Sequence, residues 1–198
     1  MKQADDIIID LVNPNARVLD LGCGDGDLLC RLRQTKSVTG YGVEIEHTRI
    51  EGCLARGVNV IEHDIDAGLD RFPTNSFDIV IMNETLQAIS EPRTLVREML
   101  RIGEECVVTF PNFAYWQCRK QLFFGGRMPV SKHLPNEWYD TPNIHLCTIH
   151  DFDTMCAAEN VRVITRHVFD QHGRETFPTR MLPNVLGVTA FYRLGRPT

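Results

Sequence analysis

Three short segments of this sequence place glycines and carboxylates where a small charged molecule can bind. The run DLGCGDG at residues 20–26 holds three alternate glycines, Gly22, Gly24 and Gly26. Glycines allow a sharp turn and a close approach of the backbone to a ligand. The first N–H groups of a following helix would face that ligand and favour a carboxylate. The run does not fit the dinucleotide fingerprint GxGxxG, because Asp27 stands at its third glycine and would repel a pyrophosphate.

Two acidic residues follow at intervals that suit the rest of a nucleoside. Glu44 comes about 20 residues beyond the loop, the spacing at which a carboxylate meets ribose hydroxyls, although Glu46 is a nearby competitor. Asp64 can accept a hydrogen bond from an adenine amine while Ile65 packs against the ring. Taken singly, each segment has an ordinary interpretation, as a glycine turn, a solvated acid or a cap. Their order along the chain favours a nucleoside cofactor.

Alternating strand-like and helix-like segments are the elements that must position these residues. This alternation predicts βαβ units around a parallel sheet. The predicted strands are 17–21, 38–44, 58–61, 77–82, 105–110, 161–169 and 185–193, and the predicted helices are 3–12, 27–34, 47–56, 92–100 and 151–159. The last two strands are expected to form an antiparallel pair. Ligands of open α/β sheets bind at the carboxyl ends of the strands, which is where the three segments fall.

The segment VLDLGCGDG at 18–26 resembles the cofactor loop of class I methyltransferases, which use S-adenosylmethionine (SAM). Segments 42–45, 63–65 and 77–80 resemble the next three motifs of that superfamily. The resemblance implies an α/β Rossmann-like fold with a seven-stranded, mostly parallel sheet, one antiparallel terminal strand and helices on both faces. It also implies SAM or S-adenosylhomocysteine as cofactor. The residues it assigns to the cofactor are Asp20, Gly22, Cys23, Gly24 and Gly26 for the amino-acid part, Glu44 for the ribose, Asp64 with Ile65 for the adenine, and Asn83 for the methionine end. Ile45 is also expected to contact the cofactor.

Three further stretches, at 110–113, 126–130 and 138–147, are similar to signatures of the MetW-type methionine biosynthesis proteins. This second resemblance extends over the whole chain. It implies a bacterial cytoplasmic protein tied to the acylation of homoserine, the first committed step toward methionine. It also implies homoserine O-acyltransferase as a partner.

Composition narrows the function classes. The chain has 198 residues, 43% of them hydrophobic and 24% charged, which predicts a single domain over 1–198 with a flap inserted at about 111–150. The net charge of −5 argues against nucleic acid as a main partner. No apolar run approaches the roughly 20 residues of a membrane span, so no membrane association is expected. The seven cysteines are scattered without a CxxC pair, which is typical of reduced cytoplasmic thiols rather than a zinc site.

The residues after the fourth predicted strand leave catalysis open. Where some related small-molecule O-methyltransferases carry Glu and His, this chain has Gln87 and Ala88, which do not titrate. His145 is the best candidate general base, and its ordinary interpretation is a loop histidine held by hydrogen bonds. The spacing of the histidines predicts no metal site.

The flap, residues 111–150, is the remaining source of specificity. Its part from 113 to 133 has four basic residues, no Asp or Glu, and five aromatic residues. We expect it to bind a protein or an acidic small molecule; the alternative is a lid helix whose aromatic rings pack on the sheet, and RNA is a weaker option. Two functions follow: methyl transfer from SAM to a small-molecule acceptor, or a non-catalytic SAM-sensing partner that supports homoserine O-acyltransferase.

Overall fold

The centre of the fold is a seven-stranded sheet, seen in a computed structural model that describes residues 2–197. Its strands are β1 (Arg17–Leu21), β2 (Thr39–Glu44), β3 (Val60–Glu62), β4 (Phe77–Asn83), β5 (Gly103–Pro111), β6 (Arg162–Phe169) and β7 (Thr189–Gly195). The helices are α1 (Lys2–Leu11), α2 (Asp27–Lys36), α3 (His47–Ala55), α4 (Pro92–Ile102), α5 (Trp116–Gly125), α6 (Ile149–Ala158), α7 (Phe177–Met181) and α8 (Pro183–Leu186). Single 3-10 turns follow β3 and β4.

The strand order is β3-β2-β1-β4-β5-β7-β6. Neighbours among β1 to β5 are parallel, whereas β7 runs antiparallel to both β5 and β6. The predicted fold, with its last strand antiparallel, is therefore confirmed. The order reverses between β1 and β4, so the connections leaving these two strands diverge. In sheets with such a reversal, ligands bind in the crevice between the carboxyl ends of the two strands, here β1 and β4.

Helices cover both faces of the sheet because adjacent residues of a strand point to opposite sides. On one face, Val18 and Ile81 pack in a core cluster with residues of α1, α2 and α3. On the other face, Leu19 and Met82 pack with residues of α4 and α6. The central β4 is buried along nearly its whole length, as expected of a strand enclosed on two sides.

Two strands, β3 and β7, begin at least two residues later than the sequence indicates. Before β3, the N–H of Val58 donates to the Cys53 carbonyl at 2.9 Å, which closes the end of α3 and delays sheet pairing until Val60. Before β7, Pro183 occupies the first turn of α8, where its fixed φ favours a helix. Gly187 ends that turn beside Val168, so the strand predicted over 185–193 runs instead over Thr189–Gly195.

The flap contains one regular element, α5, and an irregular stretch over 126–148 that leads into α6. Pro129, Pro135 and Pro142 lie in this irregular stretch, where the missing backbone N–H of each would interrupt a helix. Of the helices within residues 2–197, none is both long enough and apolar enough to cross a membrane.

Candidate functional site

The loop between β1 and α2 is shaped by three glycines in the left-handed region. The φ angles of Gly22, Gly24 and Gly26 are 72°, 58° and 78°. A Cβ at Gly22 would lie 2.6 Å from Oγ1 of Thr85, so that position excludes any side chain. At Gly24 a Cβ would meet no atom within 4 Å. The loop therefore packs tightly on one side and leaves open space above Gly24, as a cradle for a ligand requires.

Glu44, the last residue of β2, turns its carboxylate back toward this loop. Its Oε2 accepts the N–H of Gly24 at 3.0 Å, and its Oε1 accepts the N–H groups of Ile45 and Glu46 at 2.8 and 3.1 Å. The side chain is fixed and buried, with 6% of the residue exposed. A carboxylate offers about four acceptor positions, so three backbone donors leave capacity for a ligand hydroxyl.

Asp20 lies beneath the loop, at the end of β1, and is 2% exposed. Its Oδ1 has no hydrogen-bond partner among the described residues. Burial, together with the nearby carboxylates of Asp5 and Glu44, raises the pKa of Asp20 to about 7. A buried acceptor among like charges favours a cationic ligand group, which would satisfy the free oxygen and offset the repulsion. This site thus fits a cofactor with a positively charged tail.

Asn83, at the end of β4, is held by two neighbours that the sequence analysis missed. Its Oδ1 accepts the hydroxyl of Thr109 at 2.6 Å, and its Nδ2 donates to Oδ1 of Asp5 at 3.0 Å. Asp5 lies on α1 and also pairs with Arg31 at 3.4 Å. Burial raises the pKa of Asp5. The chain of Thr109, Asn83 and Asp5 fixes the position of the amide at the crevice.

The predicted adenine residues follow β3. Oδ1 of Asp64 accepts the N–H of Asp66 at 2.9 Å and caps a 3-10 turn. Ile65 is 9% exposed and belongs to the core cluster under that turn. The backbone connects this segment to the end of β2, since the N–H of His63 donates to the Glu44 carbonyl at 3.1 Å. Ile45 is 58% exposed at the same edge of the sheet.

Two cysteines form an uncharged wall beside the loop. The Sγ atoms of Cys23 and Cys53 lie 3.8 Å apart, and the Cys53 thiol donates to the Gly24 carbonyl at 3.2 Å. Burial raises the pKa of both thiols. They therefore stay protonated at neutral pH and act as packing groups rather than nucleophiles.

Gln87 ties the flap to the loop after β4. Its side-chain N–H donates to the Glu84 carbonyl at 2.7 Å. Its backbone carbonyl accepts the N–H groups of Ile144 and His145, both at 2.9 Å. Nε2 of the exposed His145 lies 3.2 Å from the Ser90 carbonyl. The structure thus brings His145 to the loop that contains Gln87 and Ser90. Among the described residues, His145 forms no hydrogen bond with Asp20, Glu44 or Asn83.

The aromatic residues of the flap fall into a buried group and an exposed group, so each of the two expectations holds for part of them. Tyr115 and Cys118 are buried and pack with Val188, as a lid helix would. Phe123 and Phe124 remain 83% and 79% exposed on the opposite side of α5. Part of α5 therefore belongs to the core, and part of it is available for binding.

Comparisons with known proteins identify relatives over most of the chain. The chain matches the family described as methionine biosynthesis protein MetW over residues 2–194. It is 37% identical over 171 residues to the bifunctional methionine biosynthesis protein MetXA/MetW of Rhodopirellula baltica. That match covers 82% of this chain but only 27% of the relative, so the chain spans a minor part of the relative's length.

Solved structures with the same fold are much more distant in sequence. The [4+2]-cyclase SpnF has a TM-score of 0.70 and 17% identity, over 98% of this chain and 80% of its own. A SAM-dependent methyltransferase of Thermotoga maritima has a TM-score of 0.67 and 16% identity, over 98% and 87%. Similarity at this level establishes the fold and leaves the reaction open, because one fold hosts many activities.

Proposed function

Because the chain belongs to the MetW family of methionine biosynthesis proteins, we propose that it binds S-adenosylmethionine at the carboxyl ends of β1, β2 and β4. The observation that carries this proposal is the hydrogen bond from Gly24 to Glu44. It joins the loop that would hold the amino-acid tail to the carboxylate that would hold the ribose. A site assembled before the ligand arrives spends less of the binding free energy on ordering.

The residues around this bond have complementary roles in the proposal. Asp20 would neutralise the positive charge of the cofactor, and Asn83 would line its methionine end. Asp64 would accept from the adenine amine, with Ile45 and Ile65 against the ring. When bound, the cofactor supplies a methyl group on a cationic sulfur. The open space above Gly24 and the free Oδ1 of Asp20 support this fit.

Of the two possible roles, a SAM-responsive partner of homoserine O-acyltransferase has the better support. Gln87, at the position where some O-methyltransferases carry an acid, is 7% exposed; its side chain donates to the Glu84 carbonyl, and its backbone carbonyl holds the flap. It cannot exchange a proton. The relative whose name joins MetXA and MetW contains both parts in one chain, which supports an association of the two. We propose that this chain acts in the cytoplasm.

Methyl transfer to a small-molecule acceptor is the second candidate. It is favoured by the same cofactor site, because sensing and catalysis need the same pocket. A methyl group on sulfonium also needs little more than an aligned nucleophile, so the lack of a titratable residue at position 87 does not remove this option.

Three measurements test these functions. Calorimetric titration of the purified chain with SAM and with S-adenosylhomocysteine should give saturable binding, and no heat at millimolar ligand would contradict the proposed site. Acyltransferase assays with and without the chain, and with and without SAM, should show a change that depends on both. Labelled product released from methyl-labelled SAM in cell extract would instead support the catalyst.

A further inference from the structure

An aromatic surface on the flap is exposed to a degree unusual for a folded protein. The rings of Phe123 and Phe124 meet edge to face with centroids 4.9 Å apart. Trp138 and Tyr139 form a second such pair, at 5.6 Å, and are 70% and 66% exposed. Grouped exposed aromatic residues commonly mark an interaction site, because burying them in a complex gains more than burying scattered apolar residues.

One ring of each pair, Phe124 and Trp138, lines a groove that we call the aromatic groove. It lies between α5 and the segment 126–130, with a volume of about 1060 Å³. Its lining includes Trp116, Lys120, Phe124, Arg127, Met128 and Trp138. The side chain of Gln121 fixes the two walls, donating to the Val130 carbonyl at 3.2 Å and accepting the Val130 N–H at 3.1 Å. These two hydrogen bonds hold the groove open before any partner binds.

Two cationic side chains, Lys120 and Arg127, line the aromatic groove, and two more basic residues lie nearby in the sequence. Arg119, Lys120, Arg127 and Lys132 lie within 113–133, and across residues 4–197 none of these four forms an ion pair. Glu137 is the acidic residue that lines the groove. Since the whole chain has a net charge of −5, this cationic region differs in sign from its surroundings. A matching partner would present carboxylates around an apolar side chain.

We propose that the aromatic groove is the docking surface for the acyltransferase, and that it receives an apolar side chain of that enzyme framed by acidic residues. The inference rests on the proposed function, which supplies the partner. The relative that carries MetXA and MetW parts in one chain favours this occupant over a second copy of the chain. The acidic character of the protein as a whole favours a protein surface over RNA.

The test is a calorimetric titration of the full chain with the purified homoserine O-acyltransferase of the same organism. Phe124→Ser and Arg127→Glu should each weaken binding about tenfold or more, as expected of an anchor and its charged neighbour. Phe177→Ser is the matched control, because Phe177 is 76% exposed but lies on α7, outside the flap. It should bind like the unchanged protein. Both test positions face solvent, so thermal melting and SAM affinity should stay unchanged.

The possible results distinguish a failure of the groove proposal from a failure of the proposed partnership with the acyltransferase. If the unchanged chain binds the enzyme and Phe124→Ser binds equally well, the groove proposal is overturned while the partnership stands. If the unchanged chain does not bind the enzyme, both are overturned. Self-association that Phe124→Ser abolishes, or capture of single-stranded RNA by the same residues in place of the enzyme, would also overturn the proposal. Enzyme binding that Phe124→Ser weakens, found without any SAM binding, would support the groove and contradict only the cofactor site.

Discussion

The N–H of Gly24 donates to Oε2 of Glu44 at 3.0 Å, although 20 residues separate the two along the chain. Replacing Glu44 by Gln puts a donor amide against at least one backbone donor, because the carboxylate accepts three. We expect SAM affinity to fall by about tenfold or more, because the amide leaves no spare acceptor for a ribose hydroxyl, and an unpaired ligand hydroxyl costs roughly 1–3 kcal/mol. Calorimetric titration with SAM measures this change in affinity.

Glu46→Gln is the control for that substitution. Glu46 is exposed and its carboxylate pairs with Arg49 at 2.8 Å. The change should leave SAM affinity unchanged. Equal losses in Glu44→Gln and Glu46→Gln would contradict the assignment of the ribose carboxylate to Glu44.

Gly24→Ala separates the cradle from backbone strain. The φ of Gly24 is 58°, and a Cβ there would occupy the open space above the loop. Gly57→Ala is a matched control, because Gly57 has a φ of 69° and equally open space but lies after α3. Both variants should lose about 1–2 kcal/mol of stability in urea unfolding. Only Gly24→Ala should lose SAM binding, and an equal loss in both would count against the cradle.

The parts of this site that depend on local patterns are predictable from the sequence. The glycine loop and Glu44 follow directly from strand ends, which periodicity locates. Asp5 is not predictable in this way, because it reaches Asn83 across 78 residues through the packing of α1 on the sheet. No local signal states which helix lies over which strand end.

Composition also leaves open which face of the flap helix is covered. The aromatic content over 113–133 fits both a lid and a binding surface. Tyr115 packs against Val188, whose position depends on the late start of β7, whereas Phe123 faces solvent. That division is set by tertiary contacts between distant segments, which a single sequence does not reveal.

The buried Asp20 should make stability depend on pH. Its pKa rises from the usual 3.8 to about 7, so between these values the native protein keeps a proton that the unfolded chain has released. The free energy of unfolding therefore falls as pH rises through this window, by at most about 4 kcal/mol from this group. Asp20→Asn should flatten the slope in urea unfolding from pH 4 to 8. Asp10→Asn, at an exposed position of α1, should keep it.

Asp20 also predicts how SAM binding depends on pH. A cationic cofactor near Asp20 favours its ionised form, so SAM affinity should rise with pH through about 7 and binding should release protons there. Asp5 and Glu44 are the other carboxylates close to Asp20. Calorimetry in buffers of different ionisation enthalpy measures the protons. If Asp20→Asn releases the same number of protons on SAM binding, the protons come from another group.

Thr109 positions the amide at the methionine end. It is fully buried, donates to Oδ1 of Asn83 at 2.6 Å and accepts the N–H of Glu84 at 2.9 Å. Thr109→Val removes both bonds and should cost about 1–3 kcal/mol of stability and weaken SAM binding. Thr109→Ser keeps the hydroxyl, so its SAM affinity should remain near that of the unchanged chain. Equal affinities in Val and Ser variants would show that the amide needs no support.

His145→Ala decides between the two proposed roles. The imidazole is exposed, with Nε2 3.2 Å from the Ser90 carbonyl, while its backbone N–H is held by Gln87 independently of the side chain. In a SAM-responsive partner, the variant should keep both its SAM affinity and its effect on the acyltransferase. His150→Ala, another exposed histidine near the start of α6, is the control. Selective loss of labelled methyl release in His145→Ala would identify a general base and favour the catalyst.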